Sequence, residues 1–307
     1  MQRDVVLLFG EVLFDVFPDG RRPGGAPLNV ARHLRAFGFS PRLITRTGSD
    51  AERAVLLDLM RRYELDDSGV QIDPVHPTGQ VLVEMHADGH SFRILPDQAY
   101  DYVSAELASR SAANCVPALV YFGTLAQRGM QSKRALQALF KAVSAPRFLD
   151  VNLRNPWFGE TVIRDSLLHA DIAKVNEEEL EVIGQLLRIP VRGRAGLASA
   201  LIQRFNIGKI LVTLGARGAW LLDRDGSESE IAGPVESASV VDSVGAGDGF
   251  SAVFIAGLLH GWPPAVTLER ADRFARALCG IRGAIPQDDS FYSPWLREWG
   301  LDVESPK

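Results

Sequence analysis

The chain predicts an α/β protein built on a doubly wound, mostly parallel sheet flanked by helices, with a small β-sheet lid set against it. Two observations carry the doubly wound part. Short apolar runs alternate with helix-period segments over most of the chain, and the connections are long enough for crossovers to parallel neighbours. A third observation adds the small sheet: the alternating runs at 79–85 and 91–95 stand close together around Ala87-Asp88-Gly89, a hairpin signature inside the α/β pattern.

Taken in order, Val5–Phe9 is nearly unbroken apolar, as suits a central strand covered on both faces. Over 12–17, Val12, Phe14 and Val16 alternate with Asp15, which a strand directs to the opposite face; the polar side of an edge strand reads the same way. Pro23-Gly24-Gly25-Ala26-Pro27 reads as a turn-rich loop, with Arg21 and Arg22 solvated before it. Asn29 then opens a helical pattern through Val30, Leu34 and Phe37, where an asparagine also serves as an N-cap. Further strands are expected over 43–45, 119–122, 147–150, 172–174 and 209–213. Helices are expected over 51–63, 132–143, 177–187, 195–205, 247–260 and 268–279. Ligands of such sheets gather beyond the strand C-termini, and the polar stretches at 150–154, 176–179, 213–218 and 242–248 all follow expected strands.

With 307 residues, 46% apolar and 23% charged, the chain can bury a large core. A net charge of −5 with both signs scattered leaves no basic stripe, so nucleic acid is not an expected partner. Cys115 and Cys279 lack metal-ligand spacing and make no disulfide framework, which fits a reducing compartment. No apolar run approaches a membrane span, and MQRDVVLLFG is too short and too charged for a signal peptide. A cytoplasmic protein with small-molecule partners is expected.

Chemistry concentrates in DSVGAGDGF, 242–250, which runs into an apolar helical pattern. Gly245, Ala246 and Gly247 form a turn without bulky side chains at a helix start, where bare N–H groups and the macrodipole suit a phosphate. Asp248 beside it reads as a base, although an ordinary first-turn carboxylate has the same place. The dinucleotide fingerprint is absent, and Gly208-Lys209 is followed by Ile210, so there is no Walker A loop. Asp150, Asn152 and Arg154 stand at alternate positions after a strand, which would direct them to one side; an Asp150–Arg154 pair is the structural alternative.

DSVGAGDGF resembles the C-terminal signature of the PfkB, or ribokinase-like, sugar kinases, close to D-T-x-G-A-G-D with Ser243 for the usual threonine. GEVLFDVF and PGGAPLNVARHLRAFG, 10–17 and 23–38, resemble the family's N-terminal motifs, in the family's order. The resemblance implies one ribokinase-like domain over 1–307, with a lid formed by about 11–22 and about 78–97 covering the sugar. It implies phosphoryl transfer from ATP to a sugar hydroxyl, with Asp248 as base, Gly245, Ala246 and Gly247 stabilising the moving group, and Arg154 near it. Sugar contacts carried over are Asp15, Gly24, Gly25 and Asn29. Arg93, Asp97 and Tyr100 lie at the hairpin's exit and could join them, a surface salt bridge being the other use of Arg93; Asn152 is the remaining candidate.

On the nucleotide side, Thr213, Gly215 and Gly218 resemble the TLG-x-x-G stretch, and Asn176 with Glu179 resembles the N-x-x-E motif. Gly247 would also meet the nucleotide, and Glu179 would organise Mg2+ through water; an acidic first turn needs no such function. Asp242 would hold K+ with carbonyls near Gly283 and Ala284. A homodimer through the lid is a further expectation. The D-x-N-x-R run resembles the fructokinase and 2-keto-3-deoxygluconate kinase branches; the N-terminal motifs together with DQAYDYV, 97–103, and DVNLRNPWF, 150–158, resemble bacterial fructokinases more, which implies fructose, phosphorylated at its 6-hydroxyl. Alternatives are the keto-acid kinase, a nucleoside kinase of the same fold, and a sugar-binding regulator without turnover. In one place the pattern departs: 271–284 lacks the asparagine that many relatives place near adenine, with Asp272 or Arg276 there instead.

Overall fold

The computed structural model describes residues 4–86, 89–234 and 240–301. The first part of the chain runs through β1 (Val5–Phe9), β2 (Leu13–Phe17), β3 (Gly20–Gly24), α1 (Ala26–Ala36), β4 (Ser40–Gly48), α2 (Ala51–Arg62), β5 (Val70–Asp73), β6 (Gly79–His86) and β7 (Gly89–Ile94). The middle continues through α3 (Ala105–Ala113), β8 (Pro117–Gly123), α4 (Met130–Ala142), β9 (Arg147–Asp150), α5 (Glu160–His169), β10 (Ile172–Asn176), α6 (Glu177–Leu186) and α7 (Arg194–Phe205). Last come β11 (Lys209–Thr213), β12 (Gly218–Asp223), β13 (Glu228–Ala232), α8 (Ala246–His260), α9 (Pro264–Cys279) and α10 (Ser293–Trp299).

Four of the five residues of β1 are buried, so the strand lies inside a sheet covered on both faces. It pairs in parallel with β4 on one side and β8 on the other, within a nine-stranded sheet of order β13-β12-β11-β10-β9-β8-β1-β4-β5. The chain winds outward from β1 through β4 and β5, then resumes at β8 and winds the other way. The reversal point between β1 and β8 is where such sheets open a crevice at their C-terminal ends. One apolar cluster packs α3 to α7 against one face; the other packs α1, α2, α8, α9 and α10 against the opposite face.

α8 is the central helix of that second layer: every residue from Gly249 to Gly257 is buried. An all-round apolar helix has no solvated face to turn outward, so it is fixed between α1 and α9 and its N-terminus is aimed at the sheet end.

The small sheet has the order β3-β2-β6-β7, with β2–β6 parallel and the two outer pairs antiparallel. Ala87 and Asp88 of the expected hairpin turn lie outside the described residues, but the strands on either side pair as far as His86 and Gly89. The loop reading of 21–27 is corrected: 20–24 is β3, and Ala26 and Pro27 already open α1. Arg21 forms an ion pair with Glu52, and Arg22 lies over the Phe17 ring at 4.1 Å and pairs with Asp19. The antiparallel edge β12–β13 and the short strand β5 were also not expected. Among the described residues no helix is long and apolar enough to cross a membrane.

Candidate active site

α8 opens on Gly245, whose φ of 80° turns the chain into the helix with no side chain capping it. First-turn N–H groups have no intrahelical acceptor, and the dipole favours anionic oxygen there. Asp242 fastens the loop: its Oδ1 accepts from the N–H of Val244 and its Oδ2 from that of Gly283, both at 3.0 Å.

Asp248 lies in the first turn of α8, and its Oδ2 accepts a 2.7 Å hydrogen bond from Asn29 Nδ2. Asn29 is not the helix cap; α1 begins at Ala26 with a proline in its first positions, and Asn29 sits buried inside its first turn. Its Oδ1 has no partner among the described residues. Burial, and next the Asp150 carboxylate, push Asp248 up to about 6, against the pull of Asn29, Lys174 and Arg154.

Asp15 on β2 is in register with Val81 of β6, which is in register with Ile94 of β7, so the three share the sheet face that packs inward. Burial pushes the Asp15 carboxyl up to about 6 while Arg154 and Arg22 draw it down. A β-carbon on Gly24 would stand 3.3 Å from Asp15 Oδ2, and one on Gly25, at φ 107°, would stand 2.6 Å from the Glu11 carbonyl oxygen. Gly25 is therefore needed for the close approach of the chain to Glu11, whereas at Gly24 a shift of the Asp15 carboxylate by a few tenths of an ångström would admit a side chain.

Of the expected sugar residues on the small sheet and at its exit, Arg93 faces away from Asp15 and Tyr100 is enclosed within range of Glu11. Arg93 is in register with Leu82, one step out of phase with the Val81–Ile94 pair, and so lies on the face opposite Asp15. Tyr100 is wholly buried, against Gly79 and with the Arg128 guanidinium 5.0 Å from its ring centre. Asp97 is exposed and accepts from Tyr102 at 3.2 Å.

The D-x-N-x-R run does not alternate as expected. β9 ends at Asp150, and Asn152 takes a left-handed φ of 46°, so strand periodicity stops there. Asp150 is buried and pairs with Lys174, not Arg154. Arg154 is exposed, and its charge acts on Glu11, Asp15 and Asp248 together.

Along the sheet end, Asn176 and Thr213 are register partners at the tips of β10 and β11. Asn176 and Glu179 form a reciprocal capping box: Asn176 Oδ1 accepts from Glu179 N–H at 2.8 Å and Glu179 Oε2 accepts from Asn176 N–H at 2.9 Å. Glu179 Oε1 also accepts from Leu153 N–H at 2.8 Å, which ties the 150–154 turn to α6. Gly215 and Gly218 take φ of 58° and 106° in the turn after β11. Arg276 donates to Asp272 at 2.6 Å and reaches the Ala216 carbonyl at 3.1 Å, so both residues that replace the missing asparagine are engaged beside that turn.

Two residues were missed. Glu11, just beyond β1, is 6% exposed, its Oε2 has no partner among the described residues, and burial pushes its carboxyl up to about 7. Lys174 is the one charge in an otherwise apolar strand core, a signal that was legible. The folded carboxyl of Glu11 holds its proton more tightly than the unfolded one, so stability is lost as pH rises from about 4.5 to about 7. Glu11→Gln removes that loss. The variant should melt above the parent at pH 8, by about 3 kcal/mol in stability, with the gap closing by pH 4.5. A gap independent of pH, read by calorimetry, would contradict the buried carboxyl.

This chain, with its doubly wound sheet, small second sheet and glycine turn on a buried helix, is a phosphotransferase with an alcohol acceptor, a sugar kinase. The chain belongs to the pfkB family of carbohydrate kinases, whose profile matches residues 3–290. It is 28% identical to a fructokinase of Klebsiella pneumoniae over 90% of this chain and 91% of that protein. The fructokinase of Vibrio cholerae O395, solved with fructose, ADP and a calcium ion, superposes with a TM-score of 0.77 at 23% identity, over 95% of this chain and 99% of that one. A nucleoside kinase of Burkholderia thailandensis, solved with inosine, gives 0.76 at 20% identity over 96% and 99%.

Proposed function

We propose that this sugar kinase transfers the γ-phosphoryl group of ATP to the 6-hydroxyl of fructose, with Asp248 taking the hydroxyl proton. The observation that carries the reading is the 2.7 Å bond from Asn29 to Asp248, which brings the N-terminal and C-terminal motifs, 219 residues apart, onto one point. Asp15, Gly24, Gly25, Asn29 and Asn152 then face the sugar, beneath the small sheet acting as a lid. Asn176, Thr213, Gly215 and Gly218 line the nucleotide side.

The N–H groups of Gly247 and Asp248 offer preorganised donors to the moving phosphoryl group, that of Ala246 being taken by the Ser243 carbonyl at 3.3 Å, and Arg154 adds a cation on the sugar side. A carboxyl held near 6 is a better base than an ordinary aspartate and is still ionised at neutral pH. Each Glu179 oxygen accepts one backbone N–H and keeps a further lone pair, so Glu179 fits hydrated Mg2+. The ion would neutralise phosphate charge. Asp242 keeps the same capacity toward K+. Its free cysteines fit work in the cytoplasm, and dimerisation through the lid remains part of the proposal.

Charge favours a neutral acceptor over a sugar acid. Three carboxylates, Glu11, Asp15 and Asp248, have Arg154 as their shared cation, with Arg128, Arg22 and Lys174 each acting on one of them, and Arg93 is on the far face of the small sheet. Offered equal fructose, 2-keto-3-deoxygluconate and a nucleoside with MgATP, in potassium and then sodium salts, the protein should consume fructose with the highest kcat/KM. Preference for the acid or the nucleoside would reassign the substrate, and equal rates in both salts would remove the potassium site.

A further inference from the structure

Beneath the glycine turn, β9 and β10 bring a buried acid and a buried base together. Lys174 Nζ lies 3.0 Å from each carboxylate oxygen of Asp150, with the two side chains 8% and 4% exposed. Ser251, one turn into α8, lies 2.7 Å from Asp150 Oδ2 and 3.0 Å from the carbonyl of Gly247, both acceptors for its one proton; donated to the acid, it ties α8 to Asp150. Tyr121 adds a 3.3 Å bond from β8. On the other side, a β-carbon on Gly247 would stand 3.5 Å from Lys174 Nζ, so the ammonium lies directly under the turn.

We propose that Asp150 and Lys174 are a positioning pair for phosphoryl transfer, holding the first turn of α8, and with it Asp248, at a set place and in a set field against the end of the sheet. The proposal rests on the reading of Asp248 as the base. A buried ion pair stabilises a fold little beyond what a packed apolar pair would, so stability is a weak account of this one. Its geometry is the better account: it joins β8, β9, β10 and α8 at the one place where the turn must not move.

The groups that face Asp248 are Glu11 after β1, Asn29 on α1, Tyr121 on β8, Asp150 and Arg154 at and after β9, and Lys174 on β10. Among the charges, Asp150 raises the Asp248 carboxyl more than Lys174 lowers it. The two removals therefore have opposite signs. Lys174→Met leaves Asp150 uncompensated and raises the proton affinity of Asp248. Lys174→Met with Asp150→Asn removes both charges and lowers it.

The test is the pH profile of the single-turnover rate with saturating sugar and ATP. In Lys174→Met the acid limb should move up by roughly half a pH unit or more, and the rate at pH 7 should fall roughly tenfold, less than about twofold of it from the shift and the rest from displacement of the turn. In the double variant the limb should move below that of the parent, and part of the rate should return; Lys174→Arg should keep the parental limb. A role in stability alone would lower the rate without moving the limb. Acid limbs within about 0.2 unit of the parent in both Lys174→Met and the double variant would overturn the proposal. If Lys174→Met does not fold, the double variant, which buries no unpaired charge, decides by the sign of its shift. Asp248→Asn in the same series separates the two ideas: normal turnover there refutes the base, whereas a collapse there with unmoved limbs in the Lys174 variants refutes only the positioning pair.

Discussion

Asp248→Asn is expected to lower the single-turnover rate by roughly three orders of magnitude or more, with sugar and ATP still bound to within a few-fold. The amide oxygen can still accept the Asn29 bond, so the shape of the site survives while the base is lost. The parent should also lose kcat/KM below about pH 6 as Asp248 protonates, and the residual rate of the variant should lack that limb. Stability moves the other way. A carboxyl whose folded value is raised destabilises the fold as pH rises through the window from 3.8 to about 6, so the asparagine variant should be at least as stable as the parent at pH 8. Turnover near the parental value would remove Asp248 from the base role.

Gly245→Ala is expected to have the second largest effect, a loss of roughly a hundredfold in kcat with ATP KM raised roughly tenfold and sugar binding nearly unchanged. Two causes act at once. The left-handed φ of 80° costs an alanine about 1 kcal/mol. The new β-carbon would also overlap the Cα and Cβ of Ala284, so the turn must lift away from 283–284 and re-aim the N–H groups of α8. Gly283→Ala separates the causes: φ there is 82°, yet a β-carbon meets nothing within 4 Å. Its kinetic loss should be about tenfold smaller. Equal losses in the two variants would mean that backbone strain, not contact with Ala284, governs the turn.

Much of the site was legible because its signals are local. A glycine turn before an apolar helix, an acidic first helical turn and an unbroken apolar strand each declare themselves within ten residues, and α8, α6 and β1 formed where those patterns stand. The capping box at Asn176 and Glu179 is local chemistry of this kind. β3 escaped because Arg-Arg-Pro-Gly has no strand pattern of its own; it is held as an edge by pairing with β2. Asn152 escaped because nothing in D-x-N-x-R announces a positive φ, and one left-handed residue ends the two-residue period on which the alignment of Asp150, Asn152 and Arg154 depended.

By itself the sequence determined the doubly wound class, the place of the glycine turn before α8 and the family, since periodicity, glycine placement and motif order need no knowledge of distant neighbours. Only the tertiary structure decided the partners. Asp150 could meet Arg154 four residues on or Lys174 across the sheet, and strand register chose Lys174. Asn29 could cap a helix or hold a sugar, and the packing of α1 on α8 set it on Asp248. Arg93 lies on one face of its sheet rather than the other through a parity that one residue of register would invert. Such choices depend on which strands and helices become neighbours, and that depends on the burial of whole apolar faces rather than on any residue's own vicinity in the chain.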